Sequence, residues 1–346
     1  MLTRRDFIAT LSAASAGASL ASLSAAQAPS APRRIDIHQH FVSPSFLTTL
    51  TAKNSVAPVP GFAAWKGYSP ARAVEALDRV GIATAMLSIT APGVWFGDVQ
   101  EARKLAREMN EYAAAKMVSD YKTRFGLFAV LPLPDVPGSL QEVEYALDTL
   151  KADGIGVLTS YGNAWLGDAS FAPLLEELNR RKAVVYTHPT DAMCCQNMIP
   201  RVANQMLEYP TDTTRTIVSL IVSEAATKYP DIRFIFSHAG GTITSIAGRL
   251  LGAEMTAENL ARPAAANSRL FHLRRFYYDT AGSANPLNMQ ALKTLVPTSQ
   301  ILFGTDAPFF DGAPQAAGLQ TAGFGAEDLK GIERENALKL LPRLRA

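Results

Sequence analysis

Cysteine is nearly missing from this 346-residue chain, and the two that occur are neighbours, Cys194 and Cys195. A disulfide framework is thereby excluded, because adjacent residues do not reach ordinary disulfide geometry without strain. The pair is expected as two small buried side chains lining a loop, with soft metal ligation or thiol reactivity as the alternative. Charge is sparse as well. Charged residues make up 18% of the chain, against about 25% in typical globular proteins, and 33 basic against 31 acidic residues leave a net charge of +2. That balance excludes an electrostatic nucleic-acid partner. A surface so poor in charge is expected to be covered in part by another subunit, so a homo-oligomer, in the simplest case a dimer, is anticipated. No G-x-G-x-x-G follows the first apolar strand, which removes the dinucleotide-binding form of an open parallel sheet. No long uninterrupted apolar run is present either; Ser and Gly dilute the one N-terminal candidate, so stable membrane insertion is not expected.

That N-terminal stretch has a different character. Thr3-Arg4-Arg5-Asp6-Phe7-Ile8 precedes an Ala/Ser/Leu-rich segment to about Leu23 and then Ala26-Gln27-Ala28. Twin arginines, a mild apolar region and small residues at a cleavage position resemble a twin-arginine export signal. Residues 1–28 are therefore expected to be an export signal, residues 29–346 one folded domain, and the periplasm the destination. Loss of Arg4, Arg5 and Asp6 brings the net charge to about +1.

From Arg34 onward, apolar runs of strand length alternate with amphipathic stretches of helical period, the pattern of βαβ units. Eight such runs lie at about 34–40, 83–90, 124–131, 155–160, 183–188, 233–238, 276–280 and 301–305. Helical patterns fall between them, many opening on a capping residue or proline, as at Ser69-Pro70, Asp212-Thr213 and Asn285-Pro286. Eight strand-helix units over about 310 residues predict a single (β/α)8 TIM barrel rather than an open doubly wound sheet. The connections after strand one (41–69) and strand five (189–212) exceed ordinary length and are expected to act as lids.

In such a barrel the chemistry sits at the C-terminal ends of the strands. Strand one ends in His38-Gln39-His40, strand five in His188, strand six in His238 and strand eight in Asp306. Four of the five histidines in the chain thus lie at strand ends. Residues i and i+2 of a strand share a face, so His38 and His40 can reach one ion. Three imidazoles and one carboxylate, His38, His40, His188 and Asp306, predict one divalent metal, zinc first and manganese second. His238 remains beside it as an acid or base.

These residues resemble the amidohydrolase superfamily, and within it the non-oxidative decarboxylases such as aminocarboxymuconate semialdehyde decarboxylase. The likeness runs from about Ile35 to Leu341 and is carried by Asp36-Ile37-His38-Gln39-His40-Phe41, Tyr186-Thr187-His188-Pro189, Phe236-Ser237-His238-Ala239-Gly240-Gly241 and Leu302-Phe303-Gly304-Thr305-Asp306-Ala307-Pro308-Phe309. It implies a metal held by His38, His40, His188 and Asp306, with His238 in proton transfer. Binuclear relatives carry a carbamylated lysine at the end of strand four. This chain has Val157-Leu158-Thr159-Ser160-Tyr161 there, which argues for a mononuclear centre. The stretch Ser88 to Asp98 is similar to 6-methylsalicylate decarboxylases. Gly61-Phe62-Ala63-Ala64-Trp65-Lys66 replaces the substrate-binding arginine region of the aminocarboxymuconate enzymes, and His188-Pro189-Thr190 lacks their tryptophan. Both departures point away from that dicarboxylate.

The expected activity is decarboxylation of a salicylate-type aromatic acid, releasing carbon dioxide with one divalent metal and no organic cofactor. Phe41, Trp65, Trp95, Phe96, Tyr161 and Phe309 are expected to line the pocket around the ring. Asp306 or a water managed by His238 would deliver the proton, making Asp306 and His238 the catalytic pair. Hydrolysis of a lactone, ester or amide by the same metal is the alternative, and a non-catalytic metal-binding protein a third reading. Asp279, ending strand seven, is expected either to hydrogen-bond a ligand histidine or to cap a helix. His272 is expected at the bottom of the barrel in a structural role. Glu208, Asp212 and Arg215 are expected to form a solvated salt bridge near the mouth.

Overall fold

A computed structural model of the chain describes residues 34–59 and 61–345. The expected export signal lies outside the described residues. Eight parallel strands follow one another around a barrel: β1 (Arg34–His40), β2 (Ile82–Ser88), β3 (Phe125–Val130), β4 (Gly154–Leu158), β5 (Val184–His188), β6 (Arg233–Phe236), β7 (Tyr277–Asp279) and β8 (Ile301–Leu302). The segment after β8 closes the circle onto β1, since Ile37 donates to the Phe303 carbonyl at 2.9 Å, Asp306 to that of His38 at 2.8 Å and His40 to that of Ala307 at 2.8 Å. The (β/α)8 barrel expected from the alternation of patterns is the architecture observed.

Nine helices of nine residues or more are found among the described residues: α1 (Pro44–Val56), α2 (Pro70–Val80), α3 (Val99–Tyr112), α4 (Val136–Glu144), α5 (Ala172–Arg180), α6 (Asn204–Val222), α7 (Ile243–Leu251), α8 (Pro286–Leu295) and α9 (Gly312–Gln320). Their starts follow local chemistry. Ser69 accepts from the Arg72 amide and Asn285 from that of Asn288, each just ahead of a proline at the first helical position, where its missing N–H costs nothing. None of the described helices is long and apolar enough to cross a membrane.

Two apolar layers build the core. The larger lies between strands and helices; the smaller fills the barrel itself with Ile35, Ile37, Met86, Phe128, Val184, Tyr186, Ile235 and Leu302, closed from below by Leu338, Leu340 and Leu341. Strict alternation along β1 would put Ile35 and Ile37 on one face and His38 and His40 on the other. The register against β2 breaks between Asp36 and Gln39, where three residues of β1 advance against two of β2. This bulge turns Ile37 and His38 to the same side, so one strand supplies both barrel floor and site. Asp36 fixes it: one carboxylate oxygen accepts from the His38 amide at 2.9 Å and the Thr305 amide at 3.1 Å, and the other from the Thr305 hydroxyl at 2.5 Å.

Three expectations are corrected. Helix α6 begins at Asn204, not Thr213, and carries Pro210 inside it, so the last part of the expected loop 189–212, from residue 204 on, is helical. Asp212, expected in a solvated ion pair, is fully buried; it accepts from Thr159 at 2.5 Å, Ser160 at 2.8 Å and the Trp165 indole at 2.6 Å, tying α6 to the end of β4. Arg215 stands 3.8 Å from Asp212 and 3.6 Å from Glu208. Cys194 and Cys195 are paired as a vicinal disulfide on the loop after β5, and Cys194 is exposed, because that loop runs over the surface where no core surrounds it.

Candidate metal centre

At the mouth of the barrel, four imidazoles converge on one carboxylate. His38 Nε2 lies 3.0 Å from His40 Nε2 and 3.3 Å from Asp306 Oδ1, and His40 Nε2 lies 3.1 Å from the same oxygen. Ligand atoms of His38, His188, His238 and Asp306 all fall within 4.8 Å of one another. The structure therefore brings together all five strand-end residues, with His238 Nε2 3.8 Å from Asp306 Oδ2.

The other ring nitrogen of each imidazole explains the arrangement. His38 Nδ1 donates to Asp279 Oδ2 at 2.9 Å. His40 Nδ1 faces the Ser88 carbonyl at 3.3 Å, His188 Nδ1 the Pro189 carbonyl at 2.8 Å and His238 Nδ1 the Ala281 carbonyl at 2.9 Å. Each partner is an acceptor, so each Nδ1 carries the proton and each Nε2 turns a lone pair toward Asp306. Converging lone pairs on a carboxylate demand a cation. Metal–ligand bonds of about 2.0–2.1 Å give ligand-to-ligand edges of roughly 3.0–3.4 Å, and the His38, His40 and Asp306 spacings lie in that range. The donor set thus fits one divalent ion of borderline character.

Electrostatics agree. Burial opposes charge on His38, yet the Asp279 and Asp306 carboxylates outweigh it and raise its pKa to about 10. Burial pushes His40 down and His188 well down. Burial also works against ionised Asp306, but His38 and His40 hold its carboxyl well below the usual range. The cluster is built for ionised Asp306 and one positive charge beside it, which the two carboxylates draw onto His38 and which a divalent ion would supply in its place.

Backbone geometry aims these groups. Asp306 and His238 have φ of 66° and 55°, left-handed values rare for residues with a side chain and common at functional sites. Asp279, one of two readings left open by the sequence, caps no helix: besides His38 it accepts from the Tyr186 hydroxyl at 3.2 Å and, through Oδ1, from the His238 and Ala281 amides at 3.0 Å each. It positions both histidines. Gly304 is required beside it, since a Cβ there would lie 2.9 Å from that of His38 and 3.2 Å from that of Asp279. His272 lies away from the centre, hydrogen-bonded to Thr227 at 3.0 Å.

A cavity of about 670 Å³ opens over the centre, bounded by His188, His238 and Asp306, by Gln205, Met206, Tyr209 and Pro210 of α6, and by Phe309 and Phe310. Of the six aromatics expected around the ring, Phe309 lines it. Phe41 and Trp65 are buried in the outer core, where Trp65 packs edge-on behind Phe309 with ring centroids 5.1 Å apart. Trp95 and Phe96 pack against that core from outside, and Tyr161 stands against Phe171, its hydroxyl accepting from the Leu158 amide. Tyr209 and Phe310 take the places the sequence offered to others. Their positions follow from how α6 and the segment after β8 cross the mouth, for which no local pattern exists.

Fold and centre together are those of an amidohydrolase barrel with a cluster suited to one metal ion, and the chain belongs to that family: residues 35–343 match Amidohydro_2, the amidohydrolase family. Within it the chain is a carboxy-lyase of the non-oxidative decarboxylase branch. It is 37% identical over 331 residues to decarboxylase yanB of Aspergillus niger, covering 90% of this chain and 88% of that protein. It is 35% identical over 338 residues to 6-methylsalicylic acid decarboxylase of Penicillium expansum, covering 90% and 97%. A crystal structure of dihydroxybenzoic acid decarboxylase from Polaromonas sp. JS666, with manganese and 2-nitroresorcinol bound, shares the fold with a TM-score of 0.74 at 23% identity, covering 91% of this chain and 98% of that one.

Proposed function

We propose that this chain decarboxylates a salicylate-type hydroxybenzoic acid to the matching phenol and carbon dioxide, without redox cofactor or oxygen. The observation that carries the reading is the convergence of four Nε2 lone pairs on Asp306 at the base of a cavity, in a chain whose relatives are named as decarboxylases. His38, His40, His188 and Asp306 would hold one divalent ion, zinc or manganese, which supplies positive charge to the substrate carboxylate and its ortho oxygen.

The chain's own groups account for the proton. Loss of carbon dioxide from an aryl ring requires a proton on the ring carbon first, since the bare carbanion is too unstable. With its Nδ1–H held by the Ala281 carbonyl, His238 turns Nε2 to the cavity beside Asp306 Oδ2, where it can take a proton from water and pass it to the ring carbon. Transfer from this pair forms the C–H bond; the C–C bond then breaks, its electrons return to the ring and carbon dioxide leaves. Phe309, packed against Trp65, presents an apolar ring to the cavity that would limit water at the reacting face.

Metal-loaded protein supplied with salicylate and 6-methylsalicylate, with carbon dioxide and phenol both measured, tests the reading. Release of both in equal amounts is expected; hydrolysis of a lactone or ester panel by a sample inert toward these acids would overturn it. The twin-arginine pattern further supports export of the folded protein to the periplasm, which fractionation of expressing cells would test.

A further inference from the structure

One wall of the cavity has no part in the centre. Thr244 and Ser245 at the start of α7, with Ser283 and Asn288 after β7, line it on the side of His238. Among the described residues none of these four side chains hydrogen-bonds another protein group, whereas neighbouring Thr242 is bonded to Thr214 at 2.9 Å and Thr90 faces His188 Nδ1 at 3.4 Å. Four uncommitted polar groups on one side of a binding cavity are a recognition surface awaiting partners. Charge is missing from the same surface. No lysine or arginine lines the cavity among the described residues, and Asp306 is its one carboxylate. The volume of about 670 Å³ lies within the roughly 300–1,000 Å³ of sites for drug-sized molecules, more than a bare benzoate ring fills.

We propose that this polar shelf reads a neutral, hydrogen-bonding substituent, such as a hydroxyl or hydroxymethyl group, on the part of the ring remote from the reacting carboxylate. Ser245 and Asn288 are its specificity-determining residues. The inference rests on the decarboxylase reading and narrows it: the substrate is a monocarboxylated hydroxyarene larger than salicylate. An alkyl substituent would desolvate the four groups without replacing their water. A second carboxylate would enter a wall that offers no cation, in a cavity that already holds the Asp306 carboxylate.

The test compares 2-hydroxybenzoic acids bearing hydroxymethyl, methyl or carboxyl at ring position 4 or 5. At one of the two positions, kcat/KM for hydroxymethyl should exceed that for methyl by about tenfold or more, with the carboxyl analogue about 100-fold lower still. Ser245→Ala and Asn288→Leu, both at exposed positions where folding is not at stake, should each move the hydroxymethyl-to-methyl ratio toward one. A ratio near one at both positions, or a ratio unmoved by both substitutions, overturns the proposal. If no acid, salicylate included, yields carbon dioxide, the decarboxylase reading falls instead, and the shelf is judged by calorimetric titration of the same analogues: a Kd ratio of about ten that Asn288→Leu abolishes upholds it, and equal Kd values overturn it.

Discussion

The floor and the mouth of the barrel are made by the same strands a few ångströms apart, and they obey opposite rules. On β5, Val184 and Tyr186 belong to the apolar fill, and the next inward residue is His188. On β1, Ile35 and Ile37 belong to the floor and His38 and His40 to the mouth, the bulge between them doing the switching. In the floor, Phe128 stacks on Tyr186 with ring centroids 5.3 Å apart and planes 6° from parallel, and stability comes from area removed from water. At the mouth, buried lone pairs face one another and stability is given up for a site that needs a cation. Tyr186 belongs to both, ring below and hydroxyl on Asp279.

Substitutions in the two regions should therefore fail differently. The largest effect is expected from His188→Ala, which removes an inward lone pair and should abolish metal retention and turnover together while the floor stays packed; elemental analysis and circular dichroism check it. Next comes Phe128→Ala, which leaves the mouth chemistry in place but should cost about 3–5 kcal/mol of stability, read by chemical denaturation, with metal stoichiometry near that of the unaltered protein. His238→Ala should lower turnover roughly 100-fold or more with the metal retained; loss of the metal would make His238 a ligand. Asp279→Asn removes the carboxylate that holds His38, and metal affinity should fall by roughly 10–100-fold, measured by chelator competition. The smallest effect is expected where the regions meet: Tyr186→Phe keeps the floor stack and removes one hydrogen bond to Asp279, costing about 1 kcal/mol with little change in turnover.

The two regions were also legible to different degrees. The floor is written in runs such as Val184-Val185-Tyr186, whose length and β-branched content announce a strand. The polar mouth was readable because histidine is scarce and four of five copies end strands. The bulge was not, since Arg34-Ile35-Asp36-Ile37 looks like plain alternation and the break shows only when Thr305 meets Asp36 across the barrel seam. The insertion after β5 was read least well. Pro210 and the polar run around Asp212 look like a loop, yet α6 runs through the proline where Met206, whose carbonyl the proline cannot bond, is exposed to water, and Asp212 finds three donors in Thr159 and Ser160 just after β4 and in Trp165. The aromatic wall failed for a related reason: hydrophobicity marks a ring for burial but does not say whether core or cavity buries it.

By itself, the sequence determined the eight-fold alternation, the strand ends that bear His38, His40, His188, His238 and Asp306, and the lack of a lysine at the end of β4, because these follow from periodicity and residue type along a single segment. Only the tertiary structure decided that Asp279 serves His38 rather than a helix, that His238 joins the cluster with its Nε2 3.8 Å from Asp306, and that Tyr209 and Phe310 rather than Trp95 and Phe96 face the cavity. Those outcomes depend on distances between segments tens to hundreds of residues apart. Barrel closure sets such distances, and no local pattern encodes them.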